Sequence, residues 1–391
     1  MAGAVSRAIS SARILANTQH DSIKIVRTES NKEIVHATRW GSLEDISIDE
    51  KMSICKELVE TARSHGNRIL TANGLYQDTY GERSIATSEG SIIQLEDTRI
   101  YCSIRAMARK NNKTVSATES FGSTGGADAF TKADAEKLAQ TAATRALKSS
   151  GGKVLHTRTI PVIMDPRVTG VFIHEAVGHL VEGDVVVSRE SILHNKINTR
   201  IASSLLTVYD DPTMIGGWGS SKYDDEATRT TERVLVKNGR LKEFIVDKSA
   251  AATLRIRANG GARVESYSFA PSPRMSNTYI DSGDMSFEEL AEDIHEGVLV
   301  VGTRGGQVDS STGSFQFNAE EAQLILNGRL TTVLFGVSFS GNTLTTLKNI
   351  DGIGKDLSHF PNSCIKGGQM VATGTGGPYV RVSHLTIGGE T

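Results

Sequence analysis

Apolar and polar residues alternate most strictly over residues 99–109, where Ile100, Cys102, Ile104, Ala106 and Ala108 fall on one face. A period of two predicts a long half-buried strand. Residues 110–113 offer a turn, and residues 114–119 continue as the partner strand. Helical spacing brackets this pair. Ser47-Ile48-Asp49-Glu50 reads as a capping box before a stripe of Met52, Cys55, Val59 and Ala62, with Gly66 as the stop. A second helix starts at Thr131, turns Ala135, Leu138, Ala139, Ala142 and Ala146 inward, and ends before Gly151-Gly152. Cys55 and Cys102 therefore read as core residues. Two short alternating runs over residues 23–40, about Glu29-Ser30-Asn31-Lys32, predict a hairpin.

The diglycine at 151–152 marks the expected boundary between an N-terminal domain, residues 1–152, and a C-terminal domain, residues 153–391. Beyond it, residues 159–164 read as a strand, and Asp165-Pro166 supplies the N-cap and first-turn proline of a helix. After Leu205 short alternating runs are separated by turns at Lys237-Asn238-Gly239 and Leu326-Asn327-Gly328, with one helix near residues 286–295. The expected fold class is α+β. An N-terminal antiparallel sheet carries two long helices, and a larger β-rich C-terminal domain carries the helix that follows Pro166.

Composition narrows the function. A chain of 391 residues buries enough core to fold without a metal or disulfide staple, so a bound metal would serve chemistry. Lys plus Arg number 43 against 45 for Asp plus Glu, a net charge of −2 that argues against nucleic acid as a partner. No apolar run approaches the roughly 20 residues of a membrane span. Three dispersed cysteines cannot form a fully paired framework, which points to a reducing, cytoplasmic setting. The first twenty residues, with Arg7 and Arg13 and no acid, faintly resemble a transit peptide but read more simply as an N-terminal helix or tail.

The chemistry lies on the helix after Pro166, in His174-Glu175-Ala176-Val177-Gly178-His179. Two imidazoles can hold a Lewis-acidic ion, and the carboxylate between them can take a proton from its water. The bland alternative is a pair of core or surface histidines that straddle a glutamate. In the familiar HExxH helix the ligands lie about 40° apart, whereas five residues place them about 140° apart on a regular helix. A metal site thus requires a π-type turn, or a break at Gly178, between the histidines. Catalytic zinc usually has three protein ligands, and the candidates for the third are Cys364, Glu182, Asp184, His194 and His359. Cys364 lies in what reads as a polar, glycine-bearing loop over residues 361–369, where Lys366 favours the thiolate; its bland alternative is a semi-exposed cysteine.

Other signals carry less. The glycines of 122–126 and 374–377 lack the flanking residues of a phosphate loop, and Ser311 has no His/Asp pattern near it. Asp224-Asp225-Glu226 reads as a structural turn in preference to a second cation site.

The motif with the following Glu182-Gly183-Asp184 resembles the signature of the TldD/PmbA peptidases, in particular the TldD-type subunit that keeps the metal motif. Agreeing blocks follow in order: Asp224-Asp225-Glu226, Lys237 to Leu241, Pro273 to Thr278, Ser340-Gly341-Asn342 with Leu347 to Ile350, and the Cys364 segment. The resemblance runs from about Arg158 to the C-terminus. It implies Zn2+ held by His174, His179 and Cys364, Glu175 as catalytic acid/base, and Arg274 close to the cleft, where it would bind a substrate carboxylate or an internal partner. It also implies short unstructured peptides as substrates and a two-subunit particle, formed with a homologous subunit lacking the metal motif or as a homodimer. Ile365 departs from the family's glycine after the cysteine, and the N-terminal region resembles a shortened one. The expected activity is that of a zinc metallopeptidase. Its rivals are a non-catalytic binding or regulatory subunit of a TldD/PmbA-type complex and a zinc amidase acting on a small molecule.

Overall fold

The structure, a computed structural model, describes residues 2–18, 24–37, 43, 46–126 and 129–389. Helix α1 (Ala2–Thr18) precedes strand β1 (Lys32–Val35), helix α2 (Ile48–Ser64), three long strands β2 (Ile69–Ala86), β3 (Ile92–Lys110) and β4 (Lys113–Ser123), and helix α3 (Lys132–Ser149). Both long helices start at capping boxes, Ser47 with Glu50 and Thr131 with Asp134. Each box satisfies two backbone donors that would otherwise be orphaned. β3 runs antiparallel to β2 and β4, and its inward face is the predicted set Ile100, Cys102, Ile104, Ala106 and Ala108, all buried. α2 contributes Leu58 and Ala62 to this core, and α3 contributes five alanines from Ala135 to Ala146. The α2 stripe is rotated from its predicted position: Met52 is half exposed and Leu58 sits at the centre.

The hairpin expected over residues 23–40 does not form. Only β1 is a strand among the described residues there, and it runs parallel to β3, Lys32 opposite Ile92 through Val35 opposite Leu95. The rest of the second run, residues 38–40, lies outside the described residues. Because β4 pairs with β3 only from Ile100 onward, the first residues of β3 leave one edge open, and β1 pairs with it at Ile92 to Leu95. The sheet is therefore mixed.

Strand β5 (Lys153–Val154) and strand β6 (Arg158–Met164) begin the larger part, and helix α4 (Pro166–Ile173) follows at once. β6 lies between the strands Glu296–Val308 and Val380–Gly389. Pairing continues through Val337–Asn342 and Ser314–Leu326, which returns to Glu296–Val308 and closes the sheet into a ring. A second sheet contains, in order, Ser358–Lys366, Gln369–Gly377, Asn277–Ile280, Val208–Asp210, Arg233–Lys237 and Arg240–Leu241. The turns Asn238-Gly239 and Asn327-Gly328 take the positive φ expected of two-residue hairpins.

α4 is wedged between these sheets. Asp165 caps it by accepting from the Val168 amide at 2.8 Å and also binds the Gly302 amide of the ring at 3.2 Å. Phe172 packs edge-on against Phe315 and Phe317. On the other side Gly170 touches the strand Gln369–Gly377 so closely that a Cβ would lie 2.7 Å from the Gly376 amide nitrogen. The helix is thus fixed in rotation and height before any functional side chain is placed.

Ion pairs join the first sheet to the rest. Arg145 of α3 is buried and binds Glu119 of β4, Glu320 at 2.8 Å and the Val301 carbonyl at 3.2 Å. Glu119 also takes Arg167 of α4 at 2.8 Å. Arg145→Ala leaves the buried Glu320 without its counterion, while Glu119 keeps Arg167, and is expected to cost about 3–5 kcal/mol. Urea unfolding checks this; a loss below about 1 kcal/mol, typical of an exposed pair, would contradict the structural role given to the network.

Candidate metal centre

α4 does not continue as a regular helix. Residues His174–Gly178 form a π turn and His179–Val181 a short 3-10 turn. The His179 amide donates to the His174 carbonyl five residues back, the bond that defines a π turn and brings residues five apart onto one side. The two rings stand 5.0 Å apart between centroids and nearly perpendicular. Gly178 makes this possible by size, since its φ of −52° is open to any residue. A Cβ there would fall 1.9 Å from Met275 Sδ.

Cys364 meets the histidines from the other side. Its segment is a strand and not the loop expected from its polar composition: Ser358–Lys366 pairs with Gln369–Gly377 through a turn at Gly367-Gly368, where both φ values are positive. Polar character reflects an edge strand, with Ser363 and Ile365 exposed on one face while Cys364 is 3% exposed on the other. Its Sγ lies 3.4 Å from His179 Nε2. Among the described residues, His174, His179 and Cys364 are the one group of three whose donor atoms could share an ion, all within 4.8 Å of one another.

The remaining candidates for a third ligand take other roles. Glu182 is fully buried and accepts from His179 Nδ1 at 2.9 Å. Asp184 pairs with Lys366, His194 binds the Val186 carbonyl, and His359 packs edge-on against Tyr279. Glu175 stands beside the cluster with its carboxylate 3.9 Å from His179 Nε2, and its side chain keeps 23% of its surface exposed. The site therefore opens through Glu175 and His179, while His174 and Cys364 form its floor.

Electrostatics favour a thiolate. Burial opposes charge on Cys364, but hydrogen bonds from both imidazoles bring its pKa down to about 5. Burial likewise opposes charge on His179, yet Glu182 and Cys364 hold its pKa well above the ordinary histidine range. The negative side chains thus gather around the position where the donor atoms converge.

Arg274, expected to bind a substrate carboxylate or an internal partner, takes the internal one. It is fully buried, and its guanidinium donates to the Cys364 carbonyl at 2.7 Å and towards the Gln369 carbonyl at 3.5 Å. A residue so enclosed has no face for a substrate carboxylate; it braces both strands of the cysteine hairpin. Asp224 accepts three backbone amides in a turn, and burial pushes its pKa up to about 7; Asp225 pairs with Arg83 at 2.7 Å. Sequence reasoning missed the part played by Lys366. The available signal was its position two residues after Cys364, which on a strand means the same face.

Fold and site together define an α+β protein with a His/His/Cys centre on a π turn. Residues 41–150 match the PmbA/TldA metallopeptidase central domain and residues 157–389 the PmbA/TldA metallopeptidase C-terminal domain. A metalloprotease of Methanothermobacter thermautotrophicus is 38% identical over 92% of this chain and 78% of its own. A zinc metalloprotease TldD homologue of Saccharolobus solfataricus is 32% identical over 95% of this chain and 80% of its own. Among solved structures, TldE from Thermococcus kodakarensis shares the fold with a TM-score of 0.80, at 21% identity, over 99% of this chain and 85% of that one. The chain belongs to the PmbA/TldD metallopeptidase family.

The π turn depends on the space that Gly178 leaves for Met275, so Gly178→Ala is expected to destabilise the protein by about 1–3 kcal/mol. Combining it with Met275→Ala should cost less than the two single losses added, with a coupling of about 0.5–3 kcal/mol. Thermal melts of the four proteins in this cycle check it, and strict additivity would mean that the two residues do not compete for one volume.

Proposed function

We propose that this protein is a zinc-dependent peptidase acting on short unstructured peptides, with His174, His179 and Cys364 as ligands and Glu175 as acid/base. The observation that carries this reading is the convergence of two imidazoles and a thiol beside a partly exposed carboxylate. The residues fit the ion. His174 Nδ1 is buried without a hydrogen-bond partner, a costly state for a polar atom unless something else engages that ring. Imidazole and thiolate are also the donors that zinc favours. The names of the relatives, metalloprotease and zinc metalloprotease, support the same class.

Zinc bound there would supply a Lewis acid for the scissile carbonyl and a water of lowered pKa. Glu175 Oε2 accepts the proton of the attacking water and hands it to the leaving amine nitrogen, a task that its partial exposure permits. Glu182 accepts a hydrogen bond from His179 Nδ1–H and so fixes the tautomer whose Nε2 lone pair is free for the ion. Cys364, braced through its carbonyl by Arg274, holds a negative charge at the floor of the site.

The proposal includes the division of the chain at 152/153 and a two-subunit particle, formed with a homologous subunit lacking the metal motif or with a second copy. No helix among the described residues is long and apolar enough to cross a membrane.

Metal analysis of the purified protein and its variants, followed by incubation with a mixed library of unstructured peptides, tests the reading. Glu175→Gln is expected to retain zinc and lose turnover by about 10²-fold or more, since an amide cannot accept the proton. His174→Ala and Cys364→Ser should lose zinc, whereas Cys55→Ser and Cys102→Ser should keep it. A Glu175→Gln protein that cleaves within a few-fold of the parent would refute the assigned acid/base.

A further inference from the structure

Lys366 lies two residues beyond Cys364, on the inward face of the same strand. An ammonium has three protons to donate, and here all three are taken. They go to Glu182 Oε2 at 2.9 Å, Asp184 Oδ1 at 2.7 Å and the Pro273 carbonyl at 3.1 Å. A cation saturated in this way has nothing left for a substrate. Its charge acts on the protein itself.

The key neighbour is Glu182, which is 0% exposed. Its Oε2 is shared between Lys366 and His179 Nδ1, while Oε1 has no partner. Buried carboxylates stay charged only beside a counterion. Without Lys366 the carboxylate would rely on His179 alone. The lysine also joins two segments that lie 182 to 184 residues apart in sequence, one carrying His179 and the other carrying Cys364.

We propose that Lys366 is a positioning residue for the metal centre: it holds Glu182 against His179 and pins the Cys364 strand to the motif turn. The donor atoms thus stand together before an ion arrives. This inference rests on the zinc reading for its consequence, but the tie itself belongs to the metal-free protein.

The test uses the full chain, with Lys366→Met to keep the length of the side chain and remove its charge. Zinc affinity, read by competition with a chromophoric chelator, is expected to fall about 10- to 100-fold. Ala142→Gly, in the core between α3 and the first sheet, serves as a control that lowers stability away from the site, and should leave zinc affinity unchanged. A second readout needs no metal. In zinc-free protein, alkylation of Cys364, followed by peptide mass spectrometry, should be at least about fivefold faster in Lys366→Met than in the parent, because the strand is no longer pinned. Zinc affinity of Lys366→Met within threefold of the parent, an equal loss in the Ala142→Gly control, or an unchanged alkylation rate would each overturn the proposal. Failure of the parent to bind zinc would instead overturn the zinc reading, and the alkylation ratio would still judge the tie.

Discussion

The hydrogen bond from the His179 amide to the His174 carbonyl is the constraint on which the site depends, because it converts an awkward five-residue spacing into two rings on one side. A π turn is an uncommon and locally strained choice, and it persists where surroundings determine it. Here the surroundings are explicit. α4 is held at its start by Asp165, pressed against Gly376 at Gly170, and met at Gly178 by Met275. The last two involve a glycine where a side chain would collide. The helix that presents the motif can neither rotate nor shift without losing them.

Around this turn the structure arranges charge in layers. Cys364 faces the histidines, Glu182 backs His179, and Lys366 with Asp184 backs Glu182. Arg274 secures the carbonyl of Cys364 from behind. Further out, Arg167 at the start of α4 and Arg145 of α3 share Glu119, so the motif helix is coupled to the first sheet as well. Glu175 stands apart from these ties. Its carboxylate is partly exposed and its ion pair is a long one, 3.9 Å to His179, as expected of a carboxylate that must exchange a proton.

Much of this was legible in the sequence, for reasons that differ from residue to residue. The strand through Ile100 to Ala108 and the capping boxes at Ser47 and Thr131 follow from local pattern, and local pattern sufficed. The spacing of His174 and His179 demanded a distorted turn, and Gly178 marked where one could form. What failed depended on distant partners. β1 pairs with a strand edge 60 residues away instead of a local hairpin partner, because that edge was otherwise unsatisfied. The Cys364 segment looked like a loop because an edge strand with one solvent face carries a loop's polarity. Arg274 stayed open between a substrate and an internal partner because nothing in its neighbours announces that a carbonyl 90 residues later will take its guanidinium.

X-ray absorption at the zinc edge of the metal-loaded protein bears most directly on the claim that this turn and this hairpin together make a metal centre. The account predicts a coordination shell with sulfur at about 2.3 Å and two imidazole nitrogens at about 2.0–2.1 Å, the sulfur lost in Cys364→Ser. A shell of nitrogen and oxygen alone in the parent protein would contradict it.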